Sequence, residues 1–364
     1  MRPLDGIKVI AIEQAVAAPF CTSRLADAGA EVFKIERPEG DFARGYDDVA
    51  KGQSSYFVWL NRGKHSRTLD LTSTQGQAEL ESLLAGADIL VQNLKPGALA
   101  RLGFSFDRLT REFPRLITCS ISGYGEYGPM AERKAYDLLV QAESGLCSIT
   151  GGPSEPARVG ISVVDIATGA TAQSAILEAL VRRGTTGQGA NISISMFDVM
   201  ADWLTVPLLN HEGGKSPRRV GLAHPSIAPY GMFVAADGAQ ILLSVQSDRE
   251  WVKLCTHFLK NPDMATDPRF ASNLARVENR SETDAAVAAA FASMTGDAAI
   301  AALLRADVAV ARVNDMAGLA AHPHLRRISV DTPNGPVSYP APAPVWDDES
   351  RTYGPVPVLD PLEN

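Results

Sequence analysis

Short apolar runs alternate with helix-length segments through the first 200 residues, and this alternation constrains the fold more than any other feature of the chain. Gly6-Ile-Lys-Val-Ile-Ala-Ile12 is nearly continuous in apolar residues, as a strand buried on both faces requires. A turn over 14–19 follows, where Pro19 suits a first helical position, and residues 21–28 read as a helix that stops at Gly29. Glu31-Val-Phe-Lys-Ile-Glu36 supplies the next strand and completes a βαβ unit. A helix over 75–84, a strand over 88–92, a largely helical 99–112 and a strand over 116–122 continue the pattern. Such alternation predicts an α/β fold built on a large, Rossmann-like doubly wound sheet.

The texture then changes twice. Residues 123–160 are glycine-rich and irregular, a long helix is expected over 166–183, 184–189 ends it, and Ala190-Asn-Ile-Ser-Ile-Ser195 returns as a strand. Beyond Leu209, residues 231–245 read as a hairpin around the turn dipeptide Asp237-Gly238, and helices are expected over 250–259, 283–292 and 296–304. This predicts a large domain over 1–209, a small α+β domain over 210–329, and an arm over 330–364 that returns to the large domain. Prolines from Pro333 onward predict that the arm is extended, since they obstruct helix and sheet interior alike.

Composition excludes several classes of function. A formal charge of -8 argues against a general nucleic-acid surface, which needs an excess of basic groups. The first residues, Met1-Arg-Pro-Leu-Asp-Gly6, have no apolar leader character, and no run approaches the roughly 18 apolar residues of a membrane span, so a cytoplasmic protein is expected. The first turn lacks GxGxxG, and GxxxxGK[ST] is absent, leaving an NAD site or a P-loop without motif support. Cys21, Cys119, Cys147 and Cys255 form no CxxC pair, the histidines form no HExxH, and His322-Pro-His324 reads as a surface turn, so no metal site is expected.

One carboxylate stands out. In Arg158-Val-Gly-Ile-Ser-Val-Val-Asp165-Ile-Ala-Thr-Gly169, Asp165 follows an apolar stretch at the start of the long helix. An aspartate of ordinary pKa is ionised at neutral pH and attacks an acyl carbon without a base, beside the unpaired N–H groups of a helix start. The alternative is an N-cap, a position that aspartate fills well. Arg37, Lys95, Arg101 and Lys134 stand in segments that flank strands or open helices, where open α/β sheets bind ligands. They suit a polyphosphate, or they are ordinary exposed charges.

Several segments, in order, make the chain resemble the class III CoA-transferases. These are Leu4-Asp-Gly-Ile-Lys-Val-Ile, Ala18-Pro19, the stretch from Ala28 to Arg37, Leu69-Asp-Leu71, Asn93 through Gly103, Gly123-Tyr-Gly125, Asp165-Ile-Ala-Thr-Gly169 and Thr186-Gly-Gln-Gly189. The group includes formyl-CoA:oxalate, carnitine and dicarboxylate CoA-transferases, with α-methylacyl-CoA racemases as a related branch. The resemblance implies that Asp165 is the catalytic aspartate. It assigns CoA contacts to Val16, Ala17, Arg37, Leu69, Asp70, Leu71, Thr72, Asn93, Leu94, Lys95, Arg101 and the segment from Lys134 to Asp137. Asp137 stands where formyl-CoA transferases carry an active-site glutamate, or it is a helix-turn carboxylate without a catalytic part. Val16 departs from the glutamine of those enzymes, so only backbone N–H is available there. The implied architecture is a homodimer of open-ring chains interlocked like links.

The implied reaction moves CoA from an acyl-CoA to a small carboxylate, through a thioester on Asp165, with the CoA thioester as substrate and no tightly bound cofactor. Oxyanions would be held by N–H groups near Ala17 and in Gly221-Leu-Ala-His-Pro225, where His224 orients the acceptor or merely packs. C4–C5 dicarboxylates such as succinate, mesaconate, itaconate, malate or citramalate are the expected acids, met by Arg218-Arg219, His224 and Ser226-Ile-Ala-Pro-Tyr230, although the arginine pair also reads as plain surface. Transfer between the two carboxyls of one acid also fits. A racemase is disfavoured, because that branch carries histidine where this chain has Tyr136, a poor base at pH 7. A CoA-binding protein without turnover is the remaining alternative.

Overall fold

Lys8–Ile12 (β1), Glu31–Glu36 (β2), Lys64–Thr68 (β3), Ile89–Gln92 (β4), Ile117–Ser122 (β5) and Ala190–Ser195 (β6) form one sheet. The order is β3-β2-β1-β4-β5-β6 and every neighbouring pair is parallel. The computed structural model describes residues 2–346 and 351–361. Strand order reverses between β1 and β4, and a crevice outside the carboxyl ends of strands at such a reversal is where open sheets bind ligands.

Successive residues of each strand bury opposite faces. Val9, Ala11, Val32, Ile89, Val91 and Ile117 join one core with helices Ala17–Asp27 (α1) and Val163–Thr186 (labelled α8 below). Ile10, Ile12, Ile35 and Leu90 join a second with Leu80, Leu84, Leu99, Phe104 and Leu109. The sheet is therefore covered on both sides, which explains why its central strands are apolar throughout rather than alternating. Each fully buried Leu or Ile contributes about 1.5–3 kcal/mol.

In chain order the other α-helices before residue 205 are Ser55–Asn61 (α2), Thr74–Ala85 (α3), Ala98–Arg101 (α4), Phe106–Glu112 (α5), Asp137–Glu143 (α6), the single turn Leu146–Ile149 (α7), then α8, and Met196–Trp203 (α9). The helix expected over 99–112 is two, because Gly103 at φ +92° breaks it. α8 is longer at both ends than predicted and stops at Gly187, whose φ of +71° caps it. β3, Lys-His-Ser-Arg-Thr, is an edge strand paired only to β2, and its polarity hides it from an apolar pattern.

The chain divides into two compact units. One comprises Met1–Cys147, Arg158–Leu209 and Arg326–Asn364; the other comprises Ser148–Ala157 and Asn210–Leu325. The ten residues Ser148–Ala157 differ from the sequence-based division because Arg219 donates to the carbonyls of Ser148, Gly152 and Pro153, and Gly221 N–H donates to Gly151. Within the second unit Tyr230–Val234 (β7), Gln240–Ser244 (β8) and Ala309–Arg312 (β9) form an antiparallel sheet that turns at Asp237-Gly238. Trp251, Phe291 and Leu303 fill the core beneath it.

The arm is not wholly extended. Arg327–Val330 (β10) and Val337–Pro340 (β11) pair as an antiparallel hairpin, with Pro336 just before β11 and Pro340 at its last position, so neither proline blocks the pairing. Residues 351–361 have no regular structure and run along the first unit, where Pro355 accepts from Gly63 N–H and Val356 N–H donates to Asp331. Among the described residues no single helix is long and apolar enough to cross a membrane.

Candidate active site

A cleft of about 510 Å³ opens at the carboxyl ends of β1, β4 and β5. It is lined by Gln14 to Ala17 after β1, Asn93 to Pro96 after β4, Ser122 and Gly123 after β5, and residues 132–138 leading into α6. Asp165 lines it from the first turn of α8. Of the residues singled out by sequence, the cleft brings together Val16, Ala17, Asn93, Leu94, Lys95, Lys134, Tyr136, Asp137 and Asp165.

The others are not among its lining residues. Leu69 and Asp70 line a separate cavity of about 100 Å³ with Ser73 and Gly76. Asp70 accepts from Thr72 N–H and hydroxyl at 2.9 and 2.6 Å, which shapes the turn containing Leu71 ahead of α3. Arg37 follows β2 and Arg101 ends α4, both exposed. Arg37, Lys95, Arg101 and Lys134 have no carboxylate partner among the described residues. His224 belongs to the second unit, where its Nδ1 accepts from Ser226 N–H at 3.1 Å and its ring stacks on Tyr230 at 5.2 Å. Arg219 is committed to three backbone carbonyls, a structural bracing that leaves Arg218 as the exposed member of the pair.

Asp165 is not the N-cap of its helix. Ser162 holds that position without a side-chain bond, and the capping comes from Asp137 on α6. Asp137 Oδ1 accepts from Val164 N–H at 2.8 Å and Asp165 N–H at 3.3 Å, while Oδ2 accepts from Gln141 Nε2 at 2.7 Å. Gln141, wholly buried, also accepts from Val159 N–H at 2.9 Å, tying the segment before α8 to the same carboxylate. The start of α8 therefore has no spare donors beside Asp165, contrary to the sequence-based expectation. Spare donors stand instead at α1, where Ala17 and Ala18 N–H have no acceptor among the described residues.

The Asp165 carboxylate accepts no hydrogen bond among the described residues. Burial first, and the Asp137 charge second, push its pKa up to about 7. This corrects the expectation of a fully ionised aspartate at neutral pH: the anion is destabilised for want of solvent and donors. Tyr46, with its pKa pushed up to about 12 by burial and by the Asp41 and Asp165 charges, keeps its proton at the cleft wall beside Phe42 and Tyr56.

Close packing sets where Asp165 stands. A Cβ on Gly169 would lie 2.4 Å from Ala17 O and 2.9 Å from Phe20 Cβ, so only glycine lets α8 approach α1 this closely. Asn93 fixes the facing loop, accepting from Gln14 N–H at 3.0 Å and donating to Gln14 O at 2.8 Å. Its side chain thus braces the loop that lines the cleft. Sequence reasoning missed Gln141, Tyr46 and the buried charges Glu13, Lys34, Asp41 and Lys64. The usable signal was charge inside or beside apolar strands, as in Val32-Phe-Lys34-Ile35. Among the described residues no group of three or more His, Cys, Asp or Glu is placed to hold a metal ion.

Fold and cleft together define a doubly wound α/β protein with a desolvated carboxylate at the reversal of strand order. The profile of CoA-transferase family III matches residues 4–360, and the chain belongs to that family. It is 36% identical to the acetyl-CoA:oxalate CoA-transferase of Acetobacter aceti, over 98% of this chain and 93% of that protein. It is 38% identical to the succinate–glutarate CoA-transferase of Agrobacterium fabrum, over 77% of this chain and 72% of the other. Among solved structures it matches a CAIB/BAIF family protein from Brucella suis with a TM-score of 0.81 and 36% identity, covering 96% of this chain and 94% of that one. A Mycobacterium tuberculosis protein matches with a TM-score of 0.87 and 28% identity, covering 98% and 97%. As a class III CoA-transferase the protein uses CoA thioesters as substrates.

Proposed function

We propose that Asp165 is the nucleophile through which CoA passes between two carboxylates. The observation that carries this reading is a carboxylate in the cleft with no hydrogen-bond partner among the described residues and a pKa raised to about 7. An anion so poorly solvated gains by sharing its charge with an acyl carbon. One Asp165 oxygen attacks the thioester carbonyl of the donor, the C–S bond breaks, and CoA leaves as a thiolate from a mixed anhydride. The thiolate attacks the aspartyl carbonyl carbon, the anhydride C–O bond breaks, the donor acid departs as a carboxylate, and an aspartyl-CoA thioester remains. The acceptor carboxylate attacks that thioester and expels the thiolate, which attacks the acceptor's acyl carbon and frees Asp165. One thioester replaces another, so neither ATP nor a net proton enters the balance.

Each tetrahedral centre carries an oxyanion, and the free N–H groups of Ala17 and Ala18 are the proposed donors. One such donor is typically worth on the order of 10²–10³ in rate. Arg37, Lys95, Arg101 and Lys134 are proposed to meet the phosphates of CoA, a reading supported by their lack of carboxylate partners on a chain of net charge -8. C4–C5 dicarboxylates are the proposed acids, supported by the succinate and glutarate in the name of the Agrobacterium fabrum relative. An interlocked homodimer is the proposed assembly, supported by the exposed apolar side chains of Trp203, Val206, Leu208 and Leu209.

Hydroxylamine trapping tests the intermediate. Protein incubated with succinyl-CoA and then hydroxylamine should yield a hydroxamate on Asp165 by peptide mass spectrometry, with no exchange of the α-proton in deuterated water. A folded Asp165→Asn variant with full turnover would sink the proposal. A matrix of acyl-CoA donors against dicarboxylate acceptors identifies the acids.

A further inference from the structure

We infer that Asp41, held by Lys34, is a positioning residue for CoA transfer: it fixes the backbone of Ala15, and with it the start of α1, at the wall of the cleft. The inference rests on the reading of that cleft as the exchange site. Asp41 does not line the cleft and acts on it through the backbone that it holds.

Four ionisable side chains, Glu13, Lys34, Asp41 and Lys64, are wholly shielded from solvent. Lys34 Nζ lies 2.8 Å from Asp41 Oδ2 and 3.6 Å from Glu13 Oε1, and Lys64 Nζ lies 2.6 Å from Glu13 Oε1. Burial opposes both ammonium charges. It pulls Lys64 down to about 8, whereas at Lys34 the Glu13 and Asp41 carboxylates outweigh it and raise the pKa. Buried ion pairs are commonly no more stabilising than apolar side chains of the same volume, so their use here calls for a reason in geometry.

The remaining bonds of the cluster supply it, because most fall on one stretch of backbone. Lys34 donates to Glu13 O at 3.3 Å, Lys64 donates to Pro19 O at 3.1 Å, and Asp41 Oδ1 accepts from Ala15 N–H at 3.2 Å. Residues 13–19 run from the end of β1 through the first turn of α1, the segment that presents Ala17 and Ala18 N–H. Ala15 sits at φ +63°, a conformation that residues with a side chain adopt only when their surroundings hold them there. Asp41 Oδ1 also accepts from Ala43 N–H at 2.9 Å, setting the turn that carries Phe42 and Tyr46. A single carboxylate oxygen therefore fixes two walls of the cleft.

The test compares Asp41→Ala, Asp41→Asn and the double variant Lys34→Met/Asp41→Leu with wild type in the full chain. Succinyl-CoA and the best dicarboxylate acceptor are the substrates, and the folded fraction is measured by circular dichroism. Asp41→Ala is expected to lower kcat about 10- to 100-fold, with KM for acyl-CoA changed less than about threefold. Asp41→Asn, whose amide oxygen still accepts from Ala15 and Ala43, should recover about tenfold of that loss. The double variant leaves no lone buried charge, so it reports even if Asp41→Ala does not fold, and it should lose kcat as Asp41→Ala does. The inference is overturned if the folded double variant keeps wild-type kcat, if the loss lies in KM alone, or if Asp41→Asn and Asp41→Ala lose kcat equally. Asp165→Asn assayed alongside separates the two readings: turnover there removes the site assignment, whereas a dead Asp165→Asn with normal Asp41 variants removes only this inference.

Discussion

Asp137 on α6 caps the helix that carries Asp165, with Oδ1 2.8 Å from Val164 N and 3.3 Å from Asp165 N. The same carboxylate is the charge that helps raise the Asp165 pKa. Asp137→Ala should therefore cost about 0.5–2 kcal/mol of stability through the lost cap, visible as a lower Tm. Asp137→Asn keeps an acceptor for the helix but removes the charge, so the acid limb of its kcat/KM profile should move to lower pH than in wild type. An unmoved limb in a folded Asp137→Asn variant would mean that the two carboxylates are not coupled.

Asp165 itself makes stability fall as pH rises. Its folded pKa of about 7 lies above the unfolded value near 3.9, so between those values the folded protein holds a proton that the unfolded chain has released. Whatever the protonated carboxyl contributes is fully present below about pH 4 and lost by the time pH passes about 7. Asp165→Asn removes that loss. Its stability should match wild type near pH 4 and exceed it at pH 8 by on the order of 1–3 kcal/mol, seen as a higher Tm and less than the full shift because the side chain is only partly buried. Turnover by wild type should rise through about pH 7 as the anion forms.

The contact of α8 with α1 leaves no room at Gly169. Gly169→Ala should push the helices apart at a cost of about 1–3 kcal/mol, measured by urea denaturation. It should also separate Asp165 from Ala17 and lower kcat by about tenfold or more, since small displacements at reacting groups are expensive. A variant with unchanged Tm and kcat would show that the close approach is not needed.

Lys95 and Lys134 stand exposed at the cleft without a carboxylate partner among the described residues. Lys95→Ala and Lys134→Ala should each raise KM for acyl-CoA several-fold with little change in kcat, and the effect should shrink as salt is raised toward about 0.5 M. A KM equal to wild type at low salt would remove these lysines from the CoA-binding surface.

How far the sequence foretold this structure depends on what each residue's surroundings supply. β2 and β6 occur where predicted because their residues carry the strand pattern themselves. β3 does not, since Lys64 becomes a core residue only through Glu13, 51 positions earlier, and no local pattern encodes that pair. Pro19 lies in the first turn of α1, two residues later than expected, because the helix begins at Ala17 without a capping side chain. The aspartate at the head of α8 was legible, but its cap was not: Asp137 is 28 residues from Asp165 and reaches it only through folding. The raised pKa was equally hidden, because a group's solvation belongs to the tertiary structure.

Residues 351–361 lie on the first unit although the whole of the second precedes them in the chain. Val356 shares a cluster with Phe57, Val58 and Val330, and Thr68 donates to Asp360 O across 292 positions. During synthesis, Phe57 and Val58 beside the parallel sheet therefore stay uncovered until the ribosome has delivered the intervening body. Contacts of such high order slow folding and leave a chaperone-sized window for aggregation, so a nascent chain arrested near residue 325 should bind chaperones persistently.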